Sequence, residues 1–147
     1  MSERKMSKAE YEALALFRYQ LRRFLRFSEE LTRRHGVTPL QYQLMLQIKG
    51  FPGRDWATLV ELAERLQAKH HGVVALVSRC EAAGLVRRNA SRGDQRLVEV
   101  KLTPKGERCL ELLAGLHRAE HLSMRVEITV PDFKTQPGEE TDVRHLR

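Results

Sequence analysis

The chain has 147 residues, 41% of them hydrophobic and 31% charged, with a formal net charge of +7. That length can bury a core, the balance excludes a disordered or fibrous chain, and the positive excess points to a polyanion such as nucleic acid. It has no apolar run of membrane-spanning length, no signal-peptide pattern and only two cysteines, so a cytoplasmic protein without a secreted disulfide framework is expected.

The charge is uneven. Residues 123–147 hold four Lys/Arg and five Asp/Glu, so the basic excess belongs to residues 1–122. Residues 1–6 are polar. Ser7 and Glu10 then have S-x-x-E spacing, the start signal of a helix that runs to about Arg34. Leu14, Phe17, Leu21, Phe24 and Leu31 recur at three- and four-residue steps, interrupted by Ser28. Leu16, Leu25 and Phe27 lie off this seam. A helix that is apolar on more than one side must bury more than one side, and in a chain this small a second subunit is the expected cover. Arg22 to Phe27 mixes arginine with aromatics, as membrane-surface helices do, but packing accounts for the seam and no membrane role is expected.

His35-Gly36 ends this helix. Thr38-Pro39-Leu40-Gln41 combines a capping box with proline at the first helical position. The helix that follows runs to about Lys49 and is expected to bury Tyr42, Met45, Leu46 and Ile48. Gly50-Phe51-Pro52-Gly53 is a turn. Asp55-Trp56-Ala57 fits a short strand, with Trp56 serving packing.

Residues 58–103 form a short helix, a turn, a second helix, a glycine stop and two strands. Thr58 and Glu61 make a third capping box, and Leu59, Leu62, Ala63 and Leu66 form one apolar face. Gln67-Ala68-Lys69 is the turn. The next helix starts near His70 and buries Val73, Leu76, Val77 and Cys80. Gly84 is placed for a left-handed C-terminal stop. The opposite face carries His71, Val74, Ala75 and Ser78. A helix presented this way can enter a DNA major groove. His71 and Ser78 can hydrogen-bond base edges or phosphates, and Val74 and Ala75 can touch a thymine methyl. Lys69 and His70 sit at the helix start, where backbone N–H groups favour a phosphate.

Leu85 and Val86 open a strand. Val98, Val100 and Leu102 alternate with Leu97, Glu99 and Lys101 in the next. Arg87, Arg88, Arg92 and Arg96 crowd the connection, where Gly93 supplies the turn. Such arginines suit a narrow minor groove, and Asp94 is expected to brace Arg92 or Arg96.

The runs ELAERLQ and EAAGLVRR, the Asp94-Gln95-Arg96 triplet and Leu102-Thr103-Pro104-Lys105-Gly106 resemble the MarR family of bacterial winged-helix transcription regulators. The resemblance covers roughly residues 8–122. It implies a mainly α fold with a small β wing. Long helices at residues 8–34 and 104–122 would serve dimerisation, and residues 38–103 would form the DNA-binding unit. It places DNA contacts on His70, His71, Gly72, Val74 and Ala75 of the second helix and on Arg92 and Arg96 of the wing. With Lys69, Ser78, Arg79 and Arg88, these make the candidate DNA-binding set. Its dimer interface falls on Leu14, Phe17, Leu21 and Phe24 and on Leu110 and Leu113 of the last helix. The implied protein is a homodimer on a pseudo-palindromic operator in double-stranded DNA, a repressor with a small-molecule effector and no cofactor. Two departures stand out. Residues 74 and 75, often polar in relatives, are apolar here, and Cys80 stands where leucine is usual.

Other classes fare less well. A winged-helix protein–protein module would share the same elements and differ in not being retained on DNA. No nucleophile–base pair or glycine-rich phosphate loop indicates an enzyme. His117 and His121 stand one helical turn apart, but two ligands do not make a zinc site. Cys80 lies on the apolar face and Cys109 follows Arg108. Neither is placed as a redox sensor, and structural roles are expected. Residues 123–147 depart from the family pattern. Arg125 to Pro131 alternates like a strand, and Thr135 to Thr141 has the composition of a disordered segment.

Overall fold

The structure is a computed structural model that describes residues 4–89, 97–124 and 128–133. In order, the elements are α1 (Lys8–Arg34), α2 (Pro39–Lys49), β1 (Trp56–Thr58), α3 (Leu59–Leu66), α4 (His70–Ala82), β2 (Val86–Asn89), β3 (Glu99–Leu102) and α5 (Pro104–Met124). They group into two units, one of residues 1–25 and 126–147 and one of residues 26–125. This is the mainly helical fold with a small wing sheet that the sequence implies.

The starts of α2 and α3 follow from local chemistry. Thr38 and Gln41 exchange side-chain and backbone bonds at the head of α2, as Thr58 and Glu61 do at the head of α3. These bonds satisfy N–H groups that a helix otherwise leaves orphaned. α3 ends on Gln67 in the left-handed conformation, with φ 51°. α4 ends at Gly84, with φ +75°, as its place after Ala83 predicts. That turn lets Leu85 N–H reach back to Cys80 C=O at 2.9 Å.

The sheet is antiparallel in the order β1-β3-β2. Ala57 faces Val100 in one ladder, and Val86 faces Leu102 in the other. The core lies between this sheet and helices α2 to α5. It includes Leu44, Met45, Ile48, Leu62, Val77, Cys80, Val100 and Leu113, all fully buried. One expectation is corrected here. Leu46 is exposed and Leu44 takes the core position, because the buried stripe of α2 runs through residues 44, 45 and 48 and position 46 is rotated off it.

Thr103 fixes the start of α5. Its hydroxyl donates to Gly84 C=O at 2.6 Å and accepts from Gly106 N–H at 3.0 Å. A Cβ on Gly106 would lie 2.0 Å from the Leu85 carbonyl oxygen. Only glycine lets the helix pack this closely against the corner between α4 and β2.

His117 explains the serine in the α1 seam. The imidazole is buried; Nδ1–H donates to Leu113 C=O at 2.7 Å, and Nε2 meets Ser28 Oγ at 2.9 Å. The ring stacks on Tyr42 with centroids 4.5 Å apart and meets the edge of Phe27 at 5.8 Å. Both ring nitrogens are thus engaged within the protein. Among the described residues, no cluster of three or more His, Cys, Asp or Glu could hold a metal.

In the other unit, Ser7 and Glu10 form the expected box at the head of α1, and Arg4 closes a bidentate pair on Glu10. Tyr11, Leu14, Leu16, Tyr19 and Leu25 are exposed along α1. Residues 128–133 belong to no helix or strand. Thr129 N–H donates to the Gln20 side chain at 3.0 Å rather than to a neighbouring strand. The strand expected over residues 125–131 is therefore not formed at 128–131, and residues 125–127 and 135–141 lie outside the described residues. Among the described residues, no helix is long and apolar enough to cross a membrane.

Candidate nucleic-acid interface

The candidate interface is the outer face of α4 together with the start of the wing. α4 turns Val73, Leu76, Val77 and Cys80 into the core. His70, His71, Gly72, Ala75, Ser78 and Arg79 are thereby left exposed, with Val74 half-buried at the edge. Lys69 is the N-cap residue, and no side-chain bond caps the helix there. The first N–H groups of α4 therefore point outward beside Lys69, His70 and His71, a combination that suits a phosphate oxygen.

The support behind this face is firm. Arg54 stacks its guanidinium between Phe51 and Trp56, 4.2 and 4.1 Å from the ring centres, and pairs with Glu61. Trp56 is therefore a packing residue, as expected. Burial pushes the Glu61 carboxyl upward, but bonds from the Thr58 N–H, the Thr58 hydroxyl and Arg54 outweigh it and leave the group below the usual range. Burial drives the Cys80 thiol up to about 11, against a weaker opposing effect of Arg79. Burial also raises the Cys109 thiol. Thiols held protonated in this way are poor nucleophiles, which fits structural roles for both.

The wing residues separate by strand face. Val86 and Arg88 share the face turned toward α4, whereas Arg87 and Asn89 are exposed. Arg88 does not point outward. Its backbone N–H and guanidinium both bond to Glu81, at 3.0 and 3.1 Å. Arg87 lies opposite Lys101 in the ladder, and Lys101 has Asp55 at 3.7 Å. Arg87 is the outward arginine that the candidate set omitted, and strand alternation from Val86 was the signal for it. Arg92, Asp94 and Arg96 lie outside the described residues.

The interface residues proposed for dimerisation also divide. Leu110 and Leu113 are covered within one chain, at 4% and 0% exposure, so no second subunit is needed to bury them. Leu112 is the exposed leucine of that stretch. Leu14 is exposed, and Phe17, Leu21 and Phe24 are half-buried.

Residues 35–97 match the family model described as MarR family. The winged helix-turn-helix is similar to that family over this segment. Solved structures extend the likeness in fold beyond the matched segment. The AbsC regulator of Streptomyces coelicolor is 22% identical, with a TM-score of 0.74 over 88% of this chain and 86% of that one. A MepR mutant of Staphylococcus aureus, bound to an oligodeoxyribonucleotide, is 17% identical, with a TM-score of 0.61 over 85% and 86%. At these identities the likeness is one of fold. Among curated proteins, the transcriptional repressor MdtR of Bacillus subtilis is 30% identical over 87 residues, 58% of this chain and 54% of MdtR. The chain spans about half the length of the curated relatives it matches.

Proposed function

We propose that the chain binds double-stranded DNA sequence-specifically as a homodimer and regulates transcription, as a repressor whose operator affinity a small-molecule effector shifts. The observation that carries this reading is the outer face of α4. A helix anchored by Val73, Leu76, Val77 and Cys80 presents His71, Gly72, Ala75, Ser78 and Arg79 to solvent, with an uncapped N-terminus beside them. Small residues at 72 and 75 allow close approach to base edges, and His71, Ser78 and Arg79 supply the polar contacts. Lys69, His70 and Val74 complete the helix contribution, and Arg87, Arg92 and Arg96 that of the wing. The naming of MdtR as a repressor and the DNA-bound MepR structure support the same reading.

Fluorescence anisotropy on the protein's own upstream DNA tests it, against a scrambled duplex at low and near-physiological salt. Tighter binding to the native duplex that survives the salt increase is expected. Equal binding to both duplexes, collapsing with salt, would reduce the interaction to a basic protein on a polyanion.

A further inference from the structure

We infer that Glu81 and Arg88 form a clamp that sets the start of the wing against the groove-facing helix, so that both are positioning residues and Arg88 is not itself a DNA contact. The inference rests on the DNA-binding reading above and deepens it.

Three observations carry it. First, Glu81 occupies the last turn of α4. Carbonyl groups make that end of a helix negative, and an acid there is unfavourable without a compensating partner. Arg88 is that partner. Second, β2 is the edge strand of the sheet, so alternate N–H groups along it face away from β3. Arg88 N–H is one of these, and Glu81 Oε2 accepts it at 3.0 Å while Oε1 accepts from the guanidinium at 3.1 Å. The carboxylate therefore grips the strand by its backbone as well as its side chain. Third, the clamp closes a seven-residue excursion through Gly84. The strand it holds leads directly into residues 90–96, where the wing arginines lie. The Glu81 carboxyl is held below its usual range, mainly by the Arg88 N–H and then by the guanidinium.

The alternative role for Arg88, direct contact with a phosphate, predicts the opposite behaviour. Removing Glu81 would then delete a negative charge near DNA and release a cation, and binding would tighten. If the pair is a clamp, removing either member misaims the wing, and binding weakens despite the charge gained.

The experiment measures Glu81→Ala, Glu81→Gln, Arg88→Gln and the Glu81→Ala/Arg88→Gln double variant. Each is titrated in full-length form on the duplex that wild type selects from a random pool. Base changes are placed separately at the half-site centres and at their flanks, and urea unfolding identifies the range in which every variant is folded. We expect Glu81→Ala to weaken binding about tenfold, with a salt slope within about one unit of wild type. Preference at the flanking positions, where a wing reaches the minor groove, should be lost, and preference at the centres kept. Glu81→Gln still accepts the Arg88 N–H and should recover part of the loss. The double variant should be no weaker than the worse single one, as for residues acting as one unit. Unchanged or tighter binding by Glu81→Ala overturns the clamp alone. So does an Arg88→Gln loss that adds to that of Glu81→Ala and lowers the salt slope by about one. A wild-type chain that selects no duplex overturns the DNA-binding reading itself, and the clamp's role in it.

Discussion

At the scale of single residues, two positions separate recognition from packing. His71 is exposed one residue into α4, where its ring can bond a base edge or a phosphate. If it reads a base, His71→Ala changes the order of preference among operator variants as well as the affinity. A competition assay across single-base variants checks this, and a uniform loss on every sequence would reduce His71 to a backbone contact. Gly106 makes the contrasting case, since nothing about it concerns DNA. A methyl group there would collide with the Leu85 backbone, which has no rotamer to escape through. Gly106→Ala is therefore expected to cost about 1–3 kcal/mol in urea unfolding, the range for overpacked sites. An unchanged midpoint would mean that α5 can lift away from the α4–β2 corner at no cost.

At the scale of elements, most of the winged unit was legible in the sequence because its boundaries are written in short-range chemistry. The boxes at Ser7, Thr38 and Thr58 and the stop at Gly84 all specify bonds within a few residues, and all are formed. What escaped was not written in a local motif. Ser28 looked like a break in the seam and is the hydrogen-bond partner of His117. Arg88 looked like one more wing arginine, although its strand face turns it toward Glu81. The left-handed Gln67 gave no local signal, since glycine or asparagine is usual there. The α3 box also has a measurable pH signature. Bonds from Thr58 and Arg54 hold the Glu61 carboxyl below its unfolded value of 4.5. A depressed acid stabilises the fold above its unfolded pKa, and that contribution fades as pH falls below about 4.5 through the folded value. Unfolding free energy followed from pH 7 into this acid range should decline less steeply in Glu61→Gln than in wild type. Parallel curves would show that Glu61 titrates alike in the folded and unfolded chain. At neutral pH, Thr58→Ala should cost about 1 kcal/mol, the usual value of an N-cap.

For the molecule as a whole, the open element is α1. Its exposed Tyr11, Leu14, Leu16, Tyr19 and Leu25 leave apolar side chains uncovered on more than one side of the helix, in a chain with a strong positive charge. Apolar exposure on this scale marks an interaction site, and a second copy is the occupant that the proposed two-fold operator requires. Leu110 and Leu113 contribute to the core of their own chain, so the proposed interface rests on α1 with Leu14, Phe17, Leu21 and Phe24. Leu14→Glu combined with Leu16→Glu places charges on that surface without touching the core around α4. Sedimentation should then report monomers where the wild type is expected to give dimers. The consequence for DNA can be stated quantitatively. The salt slope of binding counts neutralised phosphates, and a monomer reaches one half-site only. Its slope should fall to roughly half that of wild type, with affinity lost beyond what two glutamates per chain would repel. If the variant sediments as a monomer yet keeps the full slope, each chain carries the whole DNA interface alone and the two-fold operator is ruled out. If it remains a dimer, the interface does not depend on Leu14 or Leu16, and exposed Leu112 on α5 becomes the next position to charge.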